Sequence, residues 1–192
     1  YDLSCIVTWN ACGTSHGREP DVYHDLVDSA RGAVDVAREL GADPAKVLVH
    51  GHSLGGAIAA SVAALDDDAY QRCHLVLDRT FTDLGSIAAH ILLGSPPNSP
   101  MASWLSNAAW ASGWHVDTLT TLKSRSVRDR LGRVVVLFHP HDDVIPPRAQ
   151  LREGGERVVQ LSGRSASPHS MMLTECPEFA AVVRYVRTSV LR

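Results

Sequence analysis

The chain of 192 residues has no surplus of positive charge: 18 Lys and Arg stand against 21 Asp and Glu, a formal net charge of −3. Long-range electrostatics therefore offer nothing to a nucleic acid or an anionic membrane, and a neutral or apolar substrate fits better. No run approaches the roughly 18 apolar residues of a membrane span, and no charged, apolar, small-residue leader opens the chain. The expectation is a cytoplasmic protein for which peripheral membrane contact stays compatible with a lipid substrate; oligomeric state is not legible. Cysteine is scarce. The four residues Cys5, Cys12, Cys73 and Cys176 show no CxxC spacing. Cys5 and Cys73 sit within or beside apolar strand-like runs, so all four are read as reduced, structural thiols. Repeats and low-complexity tracts are missing too. What is present, 45% hydrophobic and 20% charged residues, suits one domain over 1–192 with a well-buried core.

Residues 3–9 are rich in β-branched and aromatic side chains and end in Asn10-Ala11-Cys12-Gly13, which reads as strand then turn. Over 21–40, Val22, Leu26, Ala30, Ala33, Val34, Ala37 and Leu40 recur at helical spacing, with Gly41 as the C-cap. A short apolar strand over 46–50 runs into Gly51-His52-Ser53-Leu54-Gly55-Gly56 and an alanine-rich helix through about Leu65. Residues 74–78, 134–138 and 157–161 carry the signature of buried strands, and 178–191 that of an amphipathic helix. Strands apolar throughout, separated by helices, predict an α/β fold: a mostly parallel sheet with helices on both faces.

The stretch 82–133 is too long for a minimal crossover. It holds Pro96, Pro97 and Pro100 and three of the four tryptophans, Trp104, Trp110 and Trp114. A helical or irregular insert of this size is expected to act as a lid. Its tryptophans either anchor it to the core or form an apolar substrate wall, with Leu92, Leu93 and Met101 beside them.

A GxSxG pattern carries chemistry when it joins a strand to a helix, because small neighbours let the turn push the serine into an exposed, strained conformation. Gly51, Gly55 and Gly56 are expected to provide the space, and Ser53 is the candidate nucleophile. The helix start places backbone N–H groups where an oxyanion would form, Leu54 N–H among them. A phosphate-binding loop would end in GK[ST], which is absent here. A serine hydroxyl needs a histidine base, and that base needs a carboxylate to hold its tautomer. The strand over 134–138 runs into His139-Pro140-His141-Asp142-Asp143, and the strand over 157–161 leads to Pro168-His169-Ser170. Asp142 and His169 complete the order serine, acid, histidine on the sheet edge where open α/β sheets place their sites.

Trp9-Asn10 leading to Gly13-x-Ser15-x-Gly17, Asp43-Pro44-x-Lys46-Val47, the turn at 51–56, Arg79-Thr80-Phe81-Thr82-Asp83-Leu84, Asp142-x-x-Ile145-Pro146 and Pro168-His169-Ser170 resemble α/β hydrolases across nearly the whole chain. Within that superfamily they most resemble the single-domain hydrolases that include protein depalmitoylases and monoacylglycerol-lipase-like enzymes. The resemblance implies hydrolysis of a carboxylic ester or thioester, no metal or organic cofactor, and Asp142 as the acid, four residues before Pro146; Asp143 is the reserve and Asp78 a third choice. The family's usual strand ending in His-Gly, source of a second oxyanion donor, has no counterpart ahead of residue 3. A domain excerpt or N-terminally shortened relative, weakly active when alone, is therefore expected, since losing one such donor costs about 10²–10³ in turnover.

Two other classes compete. His139-x-His141-x-Asp143 matches the first ligands of a binuclear metallohydrolase, though Val144 stands where a further histidine is usual. His50 and His52 are expected to be packed or hydrogen-bonded beside the turn rather than to bind metal. The other alternative is a non-catalytic α/β-hydrolase scaffold used for binding.

Overall fold

The apolar runs of the sequence become four parallel strands, β1 (Leu48–His52), β2 (His74–Asp78), β3 (Val134–Phe138) and β4 (Arg157–Gln160), in the order β1-β2-β3-β4. The structure is a computed structural model that describes residues 22–65, 70, 72–94 and 99–190. The expected strand over 3–9, the Trp9 to Gly17 motif, Cys5 and Cys12 lie outside the described residues. His52 pairs with Asp78 and Asp78 with Leu137, which aligns the carboxyl ends of the strands along one edge.

Alternation decides what each face buries. Leu75, Leu77, Val134 and Val136 meet Ala59, Ala60 and Ala63 of α2 (Leu54–Ala63) on one face. Val76, Val135 and Leu137 meet Met171, Cys176 and Val182 of α7 (Phe179–Val190) on the other. Helix α1 (Tyr23–Glu39) packs outside α2 through Leu26, Val27, Ala30 and Val34. The expected end of α1 holds: Gly41 takes φ +89°, with Ala42 N–H bonded to Ala37 C=O and Gly41 N–H to Arg38 C=O, a Schellman motif. Cys73 and Cys176 are free and buried, and burial pushes the Cys73 thiol up to about 11.

Strand β1 starts later than expected. The Asp43 carboxylate accepts from Ala45 N–H and Pro44 opens a 3₁₀ turn over Pro44–Lys46, so the extended run begins at Leu48. It then continues through Gly51, a poor strand former, and His52, both held there by pairing with Leu77 and Asp78. The stretch 82–133 is largely helical: α3 (Leu84–Leu93), α4 (Pro100–Ala111), α5 (Thr118–Lys123) and α6 (Arg125–Arg128). Asp83 caps α3 at Ser86 N–H and also accepts from Ser106 Oγ of α4. A Cβ on Gly85 would stand 1.7 Å from Ser106 Oγ, so the two helices touch at that glycine. The tryptophans differ in burial. Trp114 packs against the core beside Tyr23, whereas Trp104 and Trp110 are each 63% exposed.

Tyr23 provides a test of the α1–α2 contact. Burial pushes its phenol up to about 12, against the smaller opposing effect of its hydrogen bond with Ser61. An unfolded tyrosine ionises near 10, so the stability of the neutral, buried phenol is intact below that value and lost as pH rises towards 12. In urea titrations, Tyr23→Phe is expected to lose stability less steeply than the native chain across this alkaline window. Identical slopes would contradict the assignment.

Candidate active site

Ser53 joins β1 to α2 with φ +54° and ψ −124°, a backbone region that a side-chain-bearing residue occupies only when its surroundings force it. The force is steric. A Cβ on Gly51 would lie 2.2 Å from Gly55 O and 2.7 Å from Gly56 Cα, so strand and helix approach closely only because residue 51 has no side chain. Gly56 is equally confined, since a Cβ there would meet Thr80 Cβ at 2.7 Å. Gly55 differs from expectation: nothing lies within 4 Å of a Cβ built on it. Its contribution is the carbonyl that meets Gly51, which any residue would bring. The turn is tied to β2 by Ser53 N–H donating to Asp78 C=O at 2.9 Å. Leu54 opens α2, where the first N–H groups of a helix have no intrahelical acceptor and face outward with the positive end of its dipole.

The two loops at the ends of β3 and β4 meet this turn. His169 Nε2 lies 3.0 Å from Ser53 Oγ, and His169 Nδ1 lies 3.0 and 2.9 Å from the Asp142 carboxylate oxygens. Asp142 is itself oriented by Val144 N–H and Ile145 N–H, both donating to Oδ1 at 2.9 and 2.8 Å. With Nδ1–H donated to Asp142, the neutral ring presents the Nε2 lone pair to the serine hydroxyl. Burial keeps water from competing: His169 and Asp142 are largely buried, while Ser53 is half-buried. Of the three carboxylates considered from sequence, Asp142 is the one at the histidine ring. Asp143 instead accepts from the His169 backbone N–H and from Ser167 Oγ, each at 2.8 Å, and these bonds hold its carboxyl below the usual range.

Asp78 forms a buried ion pair with Arg79, Nε to Oδ1 and Nη2 to Oδ2 both at 2.8 Å. Burial alone would push the Asp78 carboxyl up, but the His50 imidazole 3.6 Å away, the Arg79 hydrogen bonds and the guanidinium charge outweigh it and hold the carboxyl low. Arg79 also donates through Nη1 to the carbonyls of Pro168 and Met171. The sequence placed Arg79 within a family-like segment without a role. Its φ of +46° belongs to a region that favours glycine, and no local signal announced it.

Near this cluster, His52 and His139 are engaged. His52 Nε2 donates to His169 C=O at 2.8 Å, and burial lowers its pKa, so the ring is neutral near pH 7. His139 is buried with Nε2 bonded to Gly163 C=O and Nδ1 accepting from His141 N–H, which leaves neither nitrogen for a metal. The strand stops at Phe138, and the rings of His139 and His141 stand edge to face at 6.1 Å. Asp143 is committed to the His169 loop. Among the described residues no group of three His, Cys, Asp or Glu is placed to hold a metal ion.

The sequence pattern of a family described as having the alpha/beta hydrolase fold matches residues 16–122. No curated protein matches the chain. Among solved structures, an esterase of Pyrococcus furiosus superposes with a TM-score of 0.60 at 12% identity, over 96% of this chain and 68% of its own. A lipase-esterase related protein from Clostridium acetobutylicum gives 0.56 at 10% identity, over 94% and 82%. Acetyl xylan esterase 1 from a Thermoanaerobacterium species gives 0.55 at 14% identity, over 88% of this chain and 54% of its own. At such identities the likeness is one of fold.

The turn geometry separates its glycines experimentally. Gly51→Ala forces backbone against backbone and is expected to cost about 2–4 kcal/mol in urea denaturation, at and beyond the upper end of ordinary overpacking. Gly55→Ala, in open space within the first turn of α2, is expected to be neutral or to stabilise by up to about 1 kcal/mol. Equal losses at both positions would refute the steric account.

Proposed function

The chain belongs to the α/β-hydrolase family, and from that premise we propose that it hydrolyses carboxylic esters or thioesters through an acyl-enzyme on Ser53. The observation that carries the reading is the continuous hydrogen-bonded path from Ser53 Oγ through His169 to Asp142. His169 Nε2 takes the hydroxyl proton as Ser53 Oγ attacks the substrate carbonyl, and Asp142 stabilises the imidazolium that results. Negative charge on the tetrahedral oxygen would be met by Leu54 N–H at the start of α2. The imidazolium then protonates the departing alcohol or thiol. Water, deprotonated by the same nitrogen, releases the acid and restores the serine.

The proposed substrates are small-molecule, lipid or acyl-protein esters. Support for an apolar acyl group comes from the paired helices α3 and α4, read as part of a lid-like insert over 82–133. Leu84 to Val116 contains no Asp, Glu, Lys or Arg. Ile91, Leu92, Leu93, Met101 and Trp104 are nonetheless exposed on it. Apolar surface of this kind marks a binding face for an apolar partner or substrate.

A panel of p-nitrophenyl esters tests both parts. Ser53→Ala is expected to lower kcat by about 10⁴–10⁶-fold and Asp142→Asn by about 10⁴-fold. The native chain should show kcat/KM rising from acetate towards octanoate. Turnover that survives in Ser53→Ala would overturn the mechanism; a preference confined to acetate would overturn the long-acyl substrate alone.

A further inference from the structure

The segment from Gly163 to Met171 that carries His169 has no regular secondary structure. Local propensity therefore does not set the direction of the imidazole. Its backbone polar groups are held by side chains from other parts of the sheet edge. Arg79 donates to Pro168 C=O and Met171 C=O at 2.7 and 2.5 Å, Asp143 accepts from His169 N–H at 2.8 Å, and His52 donates to His169 C=O at 2.8 Å. The groups bonded in this way flank the histidine on both sides.

Resting on the function proposed above, we infer that Arg79 and Asp143 are positioning residues, which hold the His169 loop so that its ring spans Ser53 and Asp142. Arg79 works from beneath. It is 2% exposed, and its planar fork divides its donors: Nε and Nη2 grasp Asp78, and Nη1 reaches the two loop carbonyls. A lysine ammonium, a point charge on a flexible stem, cannot reproduce that division. Asp78 also receives the Ser53 N–H on its backbone carbonyl, so one strand end fixes both the serine turn and the histidine loop. Asp143 works from outside. It follows Asp142 in the chain, so a single turn orients the ring through one carboxylate and the backbone of the same histidine through the next. The positive φ of Arg79 fits this assignment, because it is a strained conformation retained where the side chain must aim at a fixed target.

The test compares the native chain with Arg79→Lys and Asp143→Asn on p-nitrophenyl acetate, with folding followed by circular dichroism and active sites counted by fluorophosphonate titration. Misplacing a catalytic group by about 1 Å costs about 10²-fold, so kcat per titrated site should fall about 10- to 10²-fold with KM changed less than about twofold. If Arg79→Lys does not fold, Asp143→Asn, at an exposed carboxylate, carries the test. Folded variants with native kcat per site overturn the inference, and so does a lowered melting temperature without that loss of turnover. A native chain with no Ser53-dependent turnover would overturn the hydrolase reading and this inference with it, and is distinguished by failing before any variant is compared.

Discussion

At the carboxyl end of β1 the backbone of Gly51 runs so close to the first turn of α2 that no side chain fits between them. That contact makes the chain turn within one residue and leaves Ser53 at φ +54°. Strain of this kind costs about 1–3 kcal/mol and persists only where the surroundings over-determine it. Here they do: Ser53 N–H is bonded to β2, Gly56 lies against Thr80, and the alanines of α2 rest on Leu75 and Leu77. Leu54 opens α2 at this turn, so the helix's first N–H groups and the positive end of its dipole begin beside the serine. Steric necessity in the turn and electrostatic provision in the site are one feature of the backbone.

The second constraint is charge out of water. Asp78, Arg79, Asp142 and His169 are largely buried together, and an unpaired charge in such a place would cost several kcal/mol. Each has a partner chosen by geometry. Asp78 and Arg79 satisfy one another, Arg79 spends its remaining donors on loop carbonyls, and Asp142 collects two backbone N–H groups besides the histidine. The network that keeps these charges stable is also the one that brings together loops from β3 and β4 at the end of β1.

Much of this was legible in the sequence because it follows from local pattern. Strands β2 and β3 are continuous apolar runs with sharp boundaries and lie where expected, the serine turn and Asp142 stand just beyond a strand, and His169 lies in the loop that follows β4. What was hidden depends on long-range contact. β1 continues through Gly51 and His52 because β2 pairs with them, against the propensity of Gly51. Gly55 looked required because it belongs to the motif, but only the fold shows that Gly51 and Gly56 are the ones pressed by neighbours. Arg79 reads as an ordinary charged residue after a strand; its burial and its reach to residues 168 and 171 come from tertiary structure. The tryptophans divided for a similar reason, since burial of Trp114 depends on α1, far away in sequence.

The central claim is that Ser53 is a nucleophile made reactive by His169. The most direct measurement is fluorophosphonate labelling followed by peptide mass spectrometry. One modified residue is expected, Ser53, with labelling abolished in Ser53→Ala and strongly slowed in His169→Ala. A folded native chain that takes no label at Ser53, or takes it equally well without His169, would contradict it.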